Sequence, residues 1–251
     1  MIYITGDCHA DFRRFNKQIF PEQESMTKDD YVIICGDFGG VWNKDVEDKA
    51  EKWWMDWLDN KPYTTLFVDG NHENFDRLYS YPTKQWNGGK VHKIRPSVIH
   101  LMRGQIYELD GKRIFTFGGA RSHDISGGIL ETDDPDYKKK KKELDREWIS
   151  YRINHISWWK EELPSKEEME EGLKNLEKYD NTVDYIVSHC CAGKTQIQIG
   201  NDAKDVDILT EYFDILREKV NYKKWFFGHY HDNKNLNDKE LLLYEQIIRI
   251  T

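Results

Sequence analysis

Eight residues able to hold a metal or move a proton stand in five short loops. They are Asp7 and His9 in GDCH, Asp37 in GDFGG, Asn71 and His72 in DGNHE, His189 in SH, and His229 and His231 in GHYH. Carboxylate and amide oxygens with imidazole nitrogens form a borderline-hard ligand set. It suits Mn, Fe, Co, Ni or Zn rather than Ca alone. Asp7-x-His9 and His229-x-His231 are i, i+2 pairs, which a strand end or its loop can aim at one centre. A carboxylate such as Asp37, leaving a strand between Gly36 and Gly39-Gly40, can bridge two cations with its two oxygens. Taken singly, Gly-Asp after a strand is as often a plain turn, and a lone histidine there is more often structural. Recurrence carries the argument, since five of the nine histidines fall in these loops.

The elements that must position them are short apolar runs. Residues 2–5, 31–34, 65–68, 185–187 and 224–227 read as buried strands, each ending in one of the five loops. In open α/β sheets ligands bind at such C-terminal strand ends. Between them, Phe12, Phe15, Ile19 and Phe20 fall at helical spacing over 11–20, with Pro21 ending the segment. Residues 45–58 form a second amphipathic helix, its tryptophans read as core rather than ligand-stacking, and 74–79 a short third one. Asn87-Gly88-Gly89 marks a turn. Strands at 98–102, 105–109 and 113–117 follow, the last two joined by the hairpin turn Asp110-Gly111. After a polar loop over 121–136, the five lysines Lys138 to Lys142 read as the solvated face of a helix running to Trp148. Ser165-x-x-Glu168 is a capping box opening a helix to about residue 179. A further helix is expected over 205–220, and a closing strand or two over 240–250.

In order, the series GDCH, GDFGG, GNHE, SH and GHYH, reaching from residue 6 to residue 231, resembles the calcineurin-like metallophosphoesterase family. The resemblance implies an α/β fold, a four-layer α-β-β-α sandwich of two mixed sheets flanked by helices. It implies two divalent transition-metal ions, Mn in vitro or Fe, Zn, Co or Ni. Asp7, His9, Asp37 and His231 would hold one, and Asp37, Asn71, His189 and His229 the other. Held about 3.5–4 Å apart, such ions polarise phosphoryl oxygens and generate a bridging hydroxide for in-line attack. His72 would be no ligand but the group donating a hydrogen bond or proton to the leaving oxygen. Two departures stand out. Where the serine/threonine phosphatases of this superfamily carry an Asp and an Arg after the bridging Asp, this chain has Gly40 and Val41. Arg121 and His123 are the candidates to replace the missing phosphate-gripping arginine. Cys190-Cys191 also follow His189 where many relatives have a nearby proline; buried packing is the favoured reading of Cys8 and Cys190.

The expected function is hydrolysis of a phosphoester, on a small molecule or a phosphoprotein. The alternative is a metal-dependent phosphodiesterase or nuclease, and more remotely a non-catalytic metal-binding scaffold. The 251 residues suit a single domain, with about 121–180 as an inserted, site-capping region. Lys plus Arg number 37 against 45 acids, a net charge of −8, which argues against duplex nucleic acid as substrate. Without an apolar run near membrane-span length, and with Met1 directly before the first strand, a cytoplasmic protein is expected. Four cysteines without paired spacing fit that setting. Ala192-Gly-Lys-Thr195 is not a phosphate-binding loop, because its required first glycine would fall at Ser188. His92, His100 and His155 receive no role.

Overall fold

The structure is a computed structural model that describes residues 1–202 and 205–251. Its first strands are β1 (Ile2–Thr5), β2 (Tyr31–Ile34), β3 (Thr64–Phe67), β4 (Thr83–Trp86), β5 (Gly89–Arg95) and β6 (Val98–Leu101). Next come β7 (Gln105–Leu109), β8 (Lys112–Phe117), β9 (Ile129–Leu130) and β10 (Arg152–Ile153). The last are β11 (Tyr185–Ser188), β12 (Lys224–Phe227), β13 (Lys234–Asn235), β14 (Glu240–Leu242) and β15 (Ile248–Arg249). The helices are α1 (Lys49–Asp59), α2 (Phe75–Leu78), α3 (Tyr137–Glu147), α4 (Lys166–Glu177), α5 (Gly193–Gln198) and α6 (Ile208–Lys219).

One sheet runs β15-β1-β2-β3-β6-β5-β4 and the other β13-β14-β12-β11-β8-β7, while β9 and β10 pair as a separate ribbon. Strands β1, β2, β3 and β6 are mutually parallel, as are β8, β11, β12 and β14. Parallel strands buried on both faces read as continuous apolar runs rather than alternating ones. Each strand therefore sends its residues into two cores. Ile2, Ile4, Ile33 and Leu66 meet Tyr107, Ile114, Val187 and Phe226 between the sheets. On the far face of the first sheet, Tyr3, Val32, Ile34 and Phe67 pack under Phe12, Met55 and Leu58. On the far face of the second, Phe115, Phe117, Ile186 and Trp225 pack under Leu176, Leu209, Phe213 and Leu216. Three cores separate four layers, the expected sandwich.

Local signals place the helices. Asp48 caps α1 by accepting from the Glu51 N–H at 2.8 Å. The expected start at residue 45 therefore moves in, leaving Val46 74% exposed. At α4 the capping box forms in both directions, Glu168 N–H to Ser165 Oγ and Ser165 N–H to Glu168 Oε2. Ser165→Ala should cost about 1 kcal/mol, a fall in Tm of about 2–4 °C for a chain of this size. A melting curve superimposing on wild type would show that tertiary contacts alone hold this helix end. One expected helix is absent. Residues 11–20 form a 3-10 turn at Arg13–Phe15, and Pro21 opens a second at Pro21–Ser25 rather than ending a helix. Phe12, Phe15 and Phe20 are buried, but Ile19 is 61% exposed. Side chains take the carbonyls a helix would have used: Gln23 donates to Phe15 O and Phe20 O, and Lys61 to Phe15 O. Helix α3 buries none of its residues, and Lys140 and Lys141 pair with Asp134 and Asp145. That is the solvated face the lysine run suggested. Among the described residues no helix is long and apolar enough to cross a membrane.

Candidate metal centre and active site

The loops leaving β1, β2 and β3 and those leaving β11 and β12 meet where the C-terminal ends of the two sheets converge. The turns are tight. Asp37 has φ +43°, His9 +47°, His229 +71° and His231 +49°, left-handed values that non-glycine residues adopt only where surroundings fix them. Glycines make room for the carboxylates. A Cβ at Gly70 would lie 2.0 Å from Asp37 Oδ1, and one at Gly228 2.0 Å from Asp7 Oδ1. Gly70→Ala should therefore displace Asp37, costing about 1–3 kcal/mol and lowering metal content. A variant with unchanged melting temperature and metal content would contradict this packing.

Asp7, His9, Asp37 and His231 bring one ligand atom each within 4.8 Å of one another. His9 Nε2 lies 3.0 Å from His231 Nε2 and 3.6 Å from Asp37 Oδ2, and His231 Nε2 is 3.2 Å from Asp7 Oδ2. A second convergence adjoins it. His189 Nδ1 donates to Cys35 O at 2.8 Å, which turns Nε2 toward Asn71 Oδ1 and Asp37 Oδ1, each at 3.3 Å. The other Asp37 oxygen thus faces the first group. His229 lies edge-on to His189, with ring centroids 4.9 Å apart, and its N–H donates to Asp7 Oδ1 at 2.9 Å.

Metal binding needs ionised carboxylates and neutral imidazoles. Burial works to raise the Asp37 pKa, but the His189 imidazolium beside it, with His72 and His9, holds it well below the usual carboxylate range. Burial disfavours a charged His189, yet Asp37 in turn raises it to about 10, so a metal ion binding there displaces that proton. Burial keeps His9 and His229 below the ordinary histidine value, hence neutral. Two nearly buried carboxylates with imidazole nitrogens and an amide oxygen turned toward them are the donors a divalent ion needs. The donor set fits.

His72 stands at the edge of this cluster. Its N–H donates to Asp37 Oδ1 at 2.8 Å, and its ring lies edge-on to His9, with centroids 5.0 Å apart. Arg152, on β10, places Nη2 3.5 Å from His72 Nε2. Asp124 holds that guanidinium by contacts of 2.9 Å from Nε and 2.6 Å from Nη2. Nothing in the sequence had marked Arg152.

The calcineurin-like phosphoesterase family profile matches residues 1–233. The chain belongs to this family. Among curated proteins, lariat debranching enzyme A of Xenopus laevis is 28% identical over 151 residues, which is 55% of this chain and 27% of that protein. The lariat debranching enzymes of Danio rerio and Homo sapiens are 26% and 25% identical over 143 residues, 52% of this chain and 24% and 25% of theirs. The matched stretch thus spans about a quarter of those relatives. A phosphopantetheinyl hydrolase from Mycobacterium tuberculosis gives a structural likeness at TM-score 0.45 and 14% identity, covering 97% of this chain and 87% of that one.

In this calcineurin-like phosphoesterase the remaining candidates sit as follows. His123 Nε2 is 3.0 Å from His229 Nε2, so His123 stands with the cluster. Arg121 is exposed and lines a crevice with Asp205 and Asp207. All four cysteines are free thiols, and burial pushes the Cys8 thiol up to about 12. Two of the histidines left without a role brace the site. Asp69, beside the Asn71 loop, accepts from Arg103 Nε at 2.9 Å and contacts His100 Nε2 at 3.1 Å. His100 Nδ1 in turn lies 3.0 Å from His92 Nδ1. The signal was the register of β5 and β6, which sets His92 opposite His100. Glu73 is fully buried and accepts from the Phe38 and Gly39 N–H groups, tying the GNHE loop to the loop that carries Asp37.

Proposed function

We propose that this chain is a dinuclear metal-dependent phosphoesterase acting on a small phosphoester or a phosphorylated side chain. One observation carries the reading: two carboxylates, an amide and four imidazoles from both sheets converge beside His72 and Arg152. Asp7, His9, Asp37 and His231 would hold one ion, and Asp37, Asn71, His189 and His229 the other. Such ions, when bound, supply electrophilic polarisation of the phosphoryl oxygens and a water of lowered pKa. The chain's own groups supply the rest. A guanidinium can only donate, so Arg152 in this arrangement engages the lone pair of His72 Nε2. An arriving phosphoryl oxygen is the stronger acceptor and draws Arg152 onto itself. Nε2, its lone pair released, then takes up a proton from solvent and delivers that proton to the leaving oxygen. His123 and Arg121, beside His229, would touch the substrate's far end. Residues from about 121 to 180 would act as the inserted, site-capping region that carries Arg121, His123, Asp124 and Arg152.

Arg152→Ala should raise KM and the inhibition constant of inorganic phosphate about 10- to 100-fold, the loss of one charge-assisted contact, with metal content unchanged. Phosphate inhibition equal to wild type would remove Arg152 from the phosphate site.

The second reading, a phosphodiesterase or nuclease, draws on the likeness to lariat debranching enzymes over half of this chain. Against it stand the net acidic composition and the pairing of Lys140 and Lys141 with neighbouring carboxylates. The test is turnover of para-nitrophenyl phosphate, bis-para-nitrophenyl phosphate, plasmid DNA and an RNA lariat by Mn-reconstituted protein at several salt concentrations. Fastest turnover of the monoester is the expected result. Salt-sensitive cleavage of nucleic acid that fails once Lys138 to Lys142 are neutralised would reverse the choice. Silence on every substrate, with every divalent metal, would leave only the scaffold.

A further inference from the structure

A groove of about 360 Å³ opens beside His9 and His72 and runs along the N-terminal half of α1. That volume is within the usual range for a small-molecule site, roughly 300–1,000 Å³, and is enough for one ring system. Its walls are Trp42 and Trp54, with Phe12 between them and Ala50 at the far lip. Trp42 is fixed in place. Its ring lies 6.2 Å from the His72 ring and 5.8 Å from Trp159, and Asn74 Nδ2 donates to its carbonyl at 3.1 Å. Trp54 is braced edge-on by Phe12, with centroids 5.5 Å apart. The floor at Gly39 and Gly40 is bare backbone. A Cβ at Gly40 would run into Phe38 and Met55 at 2.4 and 2.5 Å.

Charge narrows what can enter. The carboxylates lining the groove are Asp48 and Glu51, and among the described residues no Lys or Arg lines it. Glu51 is bound to Arg77 behind it at 2.6 Å, and Asp48 caps α1. A second phosphate would meet the Asp48 carboxylate and a Glu51 whose charge Arg77 already engages, with no unpaired Lys or Arg among the described lining residues. A flat, uncharged ring would meet the Trp42 and Trp54 side chains, with the Asp48 carboxylate in the same lining. The position fixes which part of the substrate this is. The groove begins at His72, so whatever is attached to the oxygen that His72 faces continues into it.

We infer that the groove is a leaving-group subsite for an uncharged planar aromatic ring, an aryl group or a nucleobase, carried by the alcohol or phenol esterified to the phosphate. This rests on the phosphoester reading above and adds the substrate class to it. It also gives Trp54, which the sequence reads as core, a place in recognition.

The test separates the subsite from the phosphate site by binding rather than turnover, so leaving-group reactivity plays no part. Methylphosphonate and benzylphosphonate carry the same anionic head and differ in the ring. Calorimetric titration of each into the Mn-reconstituted full chain should show benzylphosphonate binding about tenfold more tightly or better, the scale of a ring stacked on an aromatic side chain. Trp54→Leu should bring the ratio close to one. Ala50→Phe should do the same by filling the groove, and as a substitution at an exposed helix position it does not put the fold at stake. Equal affinities in wild type, or a ratio that Ala50→Phe leaves intact, would overturn the subsite alone. If neither phosphonate binds, the phosphoester reading falls and the subsite with it.

Discussion

Asp37→Asn is expected to leave about one ion or fewer per chain where the proposed dinuclear centre would hold about two, and to abolish turnover with them. No other single change among the proposed ligands should remove as much metal. The reason is the way the two Asp37 oxygens are divided. Oδ1 faces His189 at 3.3 Å and accepts from the His72 N–H, while Oδ2 faces His9 at 3.6 Å. An asparagine keeping its oxygen toward the His72 N–H must turn its NH2 group toward the Asp7, His9 and His231 cluster. It also removes one of the two carboxylates in the ligand set, hence half of its negative charge. Asp7→Asn and His231→Ala each remove a proposed ligand of one ion only and should cost about one ion. Elemental analysis of the purified, metal-reconstituted variants gives the numbers directly. Two ions retained by the Asp37→Asn protein would end the bridging assignment, whatever the activity.

The loops that carry the proposed ligands are legible in the sequence because the fold sets them in a readable form. Parallel strands covered on both faces appear in sequence as unbroken apolar runs, and ligand loops follow their C-terminal ends. The runs before Asp7, Asp37, Asn71, His189 and His229 are of this kind. The turns Asp110-Gly111 and Asn87-Gly88 were equally plain, with Asp110 at φ +48° and Asn87 at φ +45°. What periodicity could not separate was a helix from a loop with inserted aromatics. Phe12, Phe15 and Phe20 satisfy helical spacing and also plug the outer face of the first sheet from a string of tight turns. Hairpin β4–β5 was read only at its turn, since β4 is largely exposed and carries no alternation. Helix α5 hid inside a motif examined for phosphate binding alone.

Arg152 was illegible for a different reason. Its strand is two residues long and pairs with another of two across a polar stretch, so neither has a pattern to show. Only the fold brings it to His72, 80 positions away in sequence. The sequence therefore offers Arg121 and His123, on the loop after Phe117-Gly118-Gly119, in place of the arginine missing after Asp37. Of those two, His123 lies within the cluster, while Arg121 lines the neighbouring crevice.

His72→Ala is expected to keep both ions and lose about 10²–10⁴ in kcat on an alkyl phosphoester, the range for removing a positioned acid. The metals should survive because His72 touches Asp37 through its backbone. The N–H that donates to Asp37 Oδ1 remains when the imidazole is gone. Asn71 and Asp37 therefore keep their places, and the substitution isolates proton delivery from metal assembly. The loss should shrink sharply on para-nitrophenyl phosphate, whose leaving group departs as an anion with little need of a proton. A purely structural role for His72 would depress both substrates alike and lower metal content as well. Turnover of the alkyl ester near the wild-type rate would mean that the leaving oxygen finds its proton elsewhere. His9, edge-on to His72 across 5.0 Å, would then be the first group to examine.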